Sequence, residues 1–293
     1  MGFDRTRIYY NAVFGALGGL LSWAIVGLVL RFQVERTFFL FVKDALQGVI
    51  VGACIGLALG LVEGVTVSRS GKRALRGGCL GAVIGVVAGP IGLILGEVIF
   101  LLAGGGVWPR AIGWAVFGLL LGLGEGLTAR SSRKASYGMI GGLLGGLVGG
   151  ATYERASLLL RSLTENRDLS VTVGGALGLV ILGASIGSLM ALTEDILRKA
   201  WLKGMHGPLE GRTLTITKQK TTLGRSDRCD ILIPGDPQVA ETHATITQTP
   251  KGFLLEAHDQ QVLVDQKPAM QQILQSGSRI QLGRSVLVFF TGE

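Results

Sequence analysis

The sequence predicts a membrane α-helical bundle followed by an all-β sandwich. Three observations carry this. Of 47 glycines in 293 residues, only nine follow residue 203. Charged residues make up 16% of the chain, well below the roughly 25% of a soluble domain, and mean hydropathy is positive. From about residue 212 the long apolar runs give way to alternation. The expected division is a membrane region over 1–203 and a β domain over 204–293.

Six apolar runs occur, at residues 9–30, 45–66, 77–103, 111–129, 136–158 and 171–196. Each approaches the roughly 20 residues that cross a hydrocarbon core. The first is longer than a signal-peptide core and lacks a small-x-small cleavage site, so it is expected to stay as an anchor. Pro90 in the third need not end that helix, because neighbouring helices can satisfy the freed carbonyl.

The links set the expected orientation. Arg5 and Arg7 precede the first run, and Arg69, Lys72, Arg73 and Arg76 join the second to the third. Arg130, Arg133 and Lys134 join the fourth to the fifth, and Arg198, Lys199 and Lys203 follow the sixth. The alternate links mix their bases with Glu35, Asp44, Glu154, Glu165 and Asp168. Positive-inside logic puts both termini in the cytoplasm of a multi-pass protein of the cell inner membrane. Trp108, Trp114 and Tyr153 then fall at the outer boundary and Tyr9, Tyr10, Tyr137 and Trp201 at the inner one, as an aromatic belt. The formal net charge of +8 is explained by these links, and no nucleic acid is expected.

The helices repeat. Gly56-x-x-x-Gly60 with Glu63-Gly64, Gly118-x-x-x-Gly122 with Glu125-Gly126, and Gly187-x-x-x-Ala191 with Glu194 end the even runs. Gly77, Gly81, Gly85 and Gly89 step by four along the third run, and Gly138, Gly142, Gly146 and Gly150 along the fifth. Asn11, Gly15, Gly19 and Trp23 are taken as their counterparts in the first. Three copies of a two-helix hairpin follow, each about 60–70 residues long. Small-xxx-small faces let backbones approach in lipid, where little hydrophobic force drives association. They are expected to pack helices within the chain or between subunits of an oligomer or larger membrane complex.

Glu63, Glu125 and Glu194 recur at the cytoplasmic end of each even helix. The helix dipole opposes a carboxylate there, so each needs a basic partner, expected in the next link at Arg69 or Arg130. A symmetric docking ring for another protein is the sharper alternative. Glu97 is placed near enough to the outer interface to reach it.

Residues 197–209 turn from basic to Gly- and Pro-containing sequence and read as a short linker. Beyond it, 214–217, 231–233, 244–247, 252–256, 262–264, 279–282 and 286–290 read as short strands divided by turn signals such as Pro234-Gly235-Asp236. That punctuation indicates a β-sandwich.

Within it run Leu223-Gly224-Arg225-Ser226-Asp227-Arg228-Cys229-Asp230-Ile231-Leu232-Ile233 and Val239-Ala240-Glu241-Thr242-His243-Ala244-Thr245-Ile246. These stretches resemble the recognition face of forkhead-associated (FHA) domains, over roughly residues 208–290. The family binds phosphothreonine peptides on loops at one end of the sandwich. The resemblance implies that Arg225 forks the phosphate, with Ser226 beside it. It also implies that Gly224 shapes the turn and His243 braces the loop from inside. Thr242 lies in the same loop as a hydroxyl donor. Three positions depart from the pattern. The family's phosphate-donating Ser corresponds to Ala240, the next position is Glu241, and its Asn-Gly segment falls near Gln260 and Gln261. Divergent members act as assembly modules in bacterial secretion machines, an analogy for docking without phosphate.

No enzyme is expected. There is no phosphate loop and no nucleophile elbow, and Asp227 and Asp230 beside Arg225 sit where the family has a turn and a strand start. His206, His243 and His258 have no metal spacing, so neither metal nor cofactor is expected. Cys54, Cys79 and Cys229 are scattered, which suits a reducing cytosol for the β domain. The expected function is a membrane-anchored scaffold that recruits a cytoplasmic or membrane protein, with phosphothreonine on the partner as one mode. The alternative is a channel or transporter gated by its FHA-like domain.

Overall fold

The computed structural model describes residues 3–29, 37–68, 70–163, 167–258 and 261–292. Glu35, Arg69, Glu165 and Gln260 lie outside them, as do the side chains of Glu154 and Asp168. The chain forms two compact units. One is helical and comprises Phe3–Val62 and Ala74–Ile196; the other gathers Leu197–Glu293 with Glu63–Arg73.

Six α-helices occur among the described residues: α1 Arg5–Val29, α2 Thr37–Val62, α3 Gly71–Leu102, α4 Val107–Ala129, α5 Ser132–Leu163 and α6 Arg167–Leu197. Five of the six have stretches long and apolar enough to cross a membrane: Arg5–Leu28, Phe41–Val67, Gly71–Leu102, Val107–Ala129 and Thr172–Leu197. α3 runs unbroken through Pro90. Gly104, Gly105 and Gly106 all take positive φ between α3 and α4, a reversal that residues with a Cβ would resist.

In the helical unit the glycine faces close a ring. Methyls at Gly52, Gly56 and Gly60 of α2 would land on the carbonyls of Gly85, Gly81 and Gly77 of α3. Gly118 and Gly122 of α4 stand in the same relation to Gly142 and Gly138 of α5, and Gly146 lies on the Trp114 carbonyl. Gly15 of α1 meets Gly183 of α6, and Gly187 meets Asn11. Thus each even helix pairs with the next odd helix, and α6 pairs with α1. Contacts within each hairpin complete the circuit: Gly18 on Cys54 and Ile55, Gly92 on Phe117, Gly145 on Ile186. The register corrects one expectation. Asn11 faces Gly187, so its counterparts are Gly81 and Gly142, one turn along from Gly77 and Gly138.

The even helices supply most of the apolar core. Ile55, Phe117 and Ile186 precede the repeated glycine at equivalent positions, and all three are fully buried in one cluster. Leu59, Leu121 and Met190, a turn further on, belong to the same cluster. Trp114 joins it at 5% exposure, with ring centroids 5.7 Å from Phe117 and 6.0 Å from Tyr153. It is therefore a buried core residue and not the exposed ring that an aromatic belt would present; the equivalent positions in the other copies are Gly52 and Gly183.

In the second unit, eleven strands occur among the described residues, including β1 Ala200–His206, β2 Thr213–Thr215, β6 Gly252–Ala257, β7 Val262–Val264, β8 Lys267–Ala269 and β9 Gln271–Leu274. The strands that set the loops are β3 (Lys220–Gly224), β4 (Ile231–Leu232), β5 (Ala244–Thr249), β10 (Arg279–Leu282) and β11 (Ser285–Thr291). All these strands form two sheets, ordered β2-β1-β11-β10-β7-β8 and β4-β3-β5-β6-β9. Inward residues alternate along them, and Leu202, Leu223, Ile246, Leu255, Ile280 and Phe289 are buried at 1% exposure or less.

The stretch expected to be a linker is a strand. β1, Ala200–His206, pairs with β11 from Ala200↔Thr291 onward and with β2, Thr213–Thr215. Its apolar side is hard to see in sequence because one inward position is Gly204, where a methyl would strike the Leu209 carbonyl. Trp201 belongs to this strand, stacked on Phe290 at 5.8 Å with the Arg198 guanidinium 4.3 Å over its ring.

Candidate recognition loops of the sandwich

Two loops meet at one end of the second unit. The first, Arg225–Asp230, connects β3 to β4; the second, 233–243, connects β4 to β5. Backbone bonds zip them together. Arg225 N–H donates to the Ala240 carbonyl (2.9 Å), Ser226 N–H to the Glu241 carbonyl (3.1 Å) and Ile233 N–H to the Gly224 carbonyl (2.8 Å). Gly224 is fixed by this approach, since a methyl there would collide with the Glu241 carbonyl. The structure thus brings Gly224, Arg225 and Ser226 into register with 240–242. Arg225, Glu241 and Thr242 are exposed and Ser226 is half-buried.

His243 sits beneath the second loop at 1% exposure. Ala240 N–H donates to its Nδ1 (3.1 Å), which leaves the proton on Nε2, facing the Gln261 carbonyl at 3.4 Å. Burial pushes the imidazole below its ordinary value, so the neutral tautomer is the structural one. Gln261 therefore contributes its carbonyl to the brace.

Three supports were not legible as site residues. Cys229, buried, donates its thiol to the Glu241 carbonyl at 3.0 Å. Asp230 takes the Lys218 ammonium on Oδ1 (2.5 Å) and the Thr222 N–H and hydroxyl on Oδ2 (2.9 and 3.0 Å). Burial alone would raise this carboxyl, but the bonds from Lys218 and Thr222 hold it below the usual range. Asp236, 3% exposed, accepts from Gln238 N–H (3.1 Å), Arg284 N–H (2.9 Å) and the Ser285 hydroxyl (2.9 Å). Burial opposes its ionisation, and these donors outweigh burial and depress its pKa. It ties the second loop to the β10–β11 turn.

The segment Glu63–Arg73 belongs to the same unit. It opens with a π-helical turn, Glu63–Val67. Val67 packs on the sandwich core, and its carbonyl accepts from the Arg212 guanidinium. Arg73 reaches the first recognition loop, donating to the carbonyls of Cys229 (2.5 Å), Asp227 (3.0 Å) and Asp230 (3.4 Å). The Ser70 hydroxyl donates to Asp227 Oδ1 at 3.3 Å.

The repeated acids do not share one environment. Glu194 is buried and paired with Arg7, and the neighbouring Asp195 accepts the Asp4 N–H at 2.7 Å. The basic partner of Glu194 comes from the start of α1, because α6 packs against α1. Glu125 is half-buried and Glu63 exposed. At the other end, Arg110 lies 3.9 Å from Glu97.

Residues 203–292 match the family described as "inner membrane component of T3SS, cytoplasmic domain", and they form an FHA-like domain. Several solved structures, FHA domains among them, are similar to this part of the chain. One is the FHA domain of the CT664 protein from Chlamydia trachomatis, 18% identical, covering 32% of this chain and 99% of that one, with a TM-score of 0.30. Another is the Slr1951 protein from Synechocystis sp., 21% identical, covering 33% and 99%, TM-score 0.30. A third is the N-terminal FHA domain of Rad53p from S. cerevisiae in complex with a phosphothreonine peptide, 14% identical, covering 32% and 94%, TM-score 0.30. No curated protein matches the chain.

Proposed function

We propose that this protein is an inner-membrane scaffold whose FHA-like domain docks a protein partner of a larger assembly through its two recognition loops, without requiring phosphate. The observation that carries this reading is the register of the Arg225-Ser226 turn on Ala240-Glu241. A phosphate held by Arg225 needs hydroxyl or amide donors beside it. At that place the chain carries a methyl and an exposed carboxylate, and the Ala240 N–H is already given to His243. Losing one charge-assisted hydrogen bond costs roughly 1.5–3 kcal/mol, about ten- to a hundredfold in affinity, and the Glu241 charge adds to that. The matched family is described as a cytoplasmic domain of an inner-membrane component. This supports the cytoplasmic placement of both termini that the basic links lead one to expect.

Phosphothreonine recognition is the second reading, favoured by Arg225, Ser226 and Thr242 lying together at the loop surface. A titration of the full chain with phosphothreonine peptides and their unphosphorylated twins separates the two. The proposal expects no gain from phosphate. Micromolar binding that needs both phosphate and Arg225 would replace it with a phosphorylation reader. Gated conduction is disfavoured by the apolar layers at Ile55, Phe117 and Ile186 and at Leu59, Leu121 and Met190. The protein in liposomes should be electrically silent.

A further inference from the structure

The two links between glycine-paired helices in the middle of the chain are variants of one design. α4–α5 and α2–α3 both place a serine three residues before a base, and the serine hydroxyl accepts the N–H of that base: Ser131 from Lys134 at 3.2 Å, Ser70 from Arg73 at 3.4 Å. Both bases stand four residues before the first paired glycine, Gly138 and Gly77. The links differ in length by one residue, since Glu125 precedes Gly138 by thirteen and Glu63 precedes Gly77 by fourteen. The extra residue is absorbed as the π-helical turn Glu63–Val67, the usual way a helix accommodates an insertion. Lys134 is buried within the helical unit. Its counterpart Arg73 instead spends its guanidinium on three carbonyls of the recognition loop.

Those carbonyls matter because the loop's N–H groups are used elsewhere. Arg225 and Ser226 donate to the second loop, Cys229 to the Ser226 carbonyl (3.0 Å) and Asp230 to the Thr222 hydroxyl (3.0 Å). A planar guanidinium presents several donors in a fixed fork, so one side chain can gather the outward carbonyls of a short turn. We infer that Arg73 is the positioning residue of the recognition loop. Its hydrogen bonds to Asp227, Cys229 and Asp230 hold the turn in the shape that presents Arg225 and Ser226. This rests on the reading of these loops as the docking face, but its test needs no partner.

The test is amide hydrogen exchange on the full chain in nanodiscs, comparing wild type with Arg73→Ala, Arg73→Lys and Arg212→Ala. For Arg73→Ala, exchange over 226–230 is expected to speed up by roughly tenfold or more, from loss of charge-assisted bonds that resist local opening. Protection of β5 and β6 (Gly252–Ala257) should be unchanged. Lys, a point charge without the fork, should restore part of the protection. Arg212→Ala removes the Val67 anchor but leaves the three carbonyl bonds, so it should leave 226–230 protected. Exchange over 226–230 that matches wild type in Arg73→Ala would overturn the inference. So would a rise spread evenly across the sandwich, which would make Arg73 a general stabiliser. If a peptide or partner assay then fails while the loop effect stands, the docking reading falls and the positioning role survives.

Discussion

In the helical unit the decisive positions carry no side chain, whereas in the sandwich they carry buried polar ones. Along α2 and α3, glycines let two backbones approach within reach of dispersion forces, and the same solution recurs in each of the three copies. In the sandwich, polar side chains tie the recognition loops to the rest of the fold: Asp230 holds the Thr222 N–H, Asp236 the N–H groups of Gln238 and Arg284, and His243 the Ala240 N–H while facing the Gln261 carbonyl. The first region is tolerant of chemistry and intolerant of volume; the second is the reverse. A repeated frame can be assembled from one motif copied, while a loop face has to be pinned group by group.

The contrast can be broken most severely with volume. Gly85→Leu would drive a side chain into the Gly52 carbonyl. Because backbone cannot yield as a side chain can, the helical unit should fail to give a monodisperse particle in detergent. Gly27→Leu, where an added Cβ would meet no atom of the described residues within 4 Å, should melt like wild type. Equal behaviour of the two variants would show that the glycine ring does not hold the unit. A polar deletion tests the other side. Asp236→Ala strands the Gln238 and Arg284 N–H groups and should cost the sandwich about 3 kcal/mol or more, read by denaturant titration.

Acidity sharpens the comparison further. The folded pKa of His243 lies below its ordinary value, about 6.5, so the unfolded chain binds more protons in the window between the two. Stability should therefore fall as the pH drops below about 6.5 and level off once the depressed folded pKa is passed. Asp230 and Asp236 are depressed as well, and their contribution should be lost further down, below about 3.9. His243→Gln should flatten the first limb of the melting-temperature profile and leave the second. The smallest effect is expected from Arg225→Ala. This exposed side chain should change stability by less than about 0.5 kcal/mol, even if docking is lost.

Much of this was legible from sequence because period and small-residue spacing are local signals. The glycine steps in α3 and α5 and the alternation of β5, β6, β10 and β11 needed no tertiary knowledge. What escaped depended on partners far along the chain. β1 hid behind Gly204, whose inward position is apparent only against the Leu209 carbonyl. Trp114 resembled an interface anchor until its neighbours Phe117 and Tyr153 were placed. Asp236 read as one residue of a turn signal, yet two of its donors, Arg284 and Ser285, lie nearly fifty positions away. Arg73 counted as one base among four in a cytoplasmic link. Its spacing before Gly77, matched by Lys134 before Gly138, was the available clue, but no local pattern gives its target carbonyls.

The most direct test of the docking account is a photo-crosslinking residue at Thr242 of the full chain in native membranes, with Gln271 on the exposed edge strand β9 (Gln271–Leu274) as control. The account predicts one discrete protein adduct from Thr242 and none from Gln271, with the same yield after phosphatase treatment. An adduct that disappears with phosphatase, or equal adducts from both positions, would contradict it.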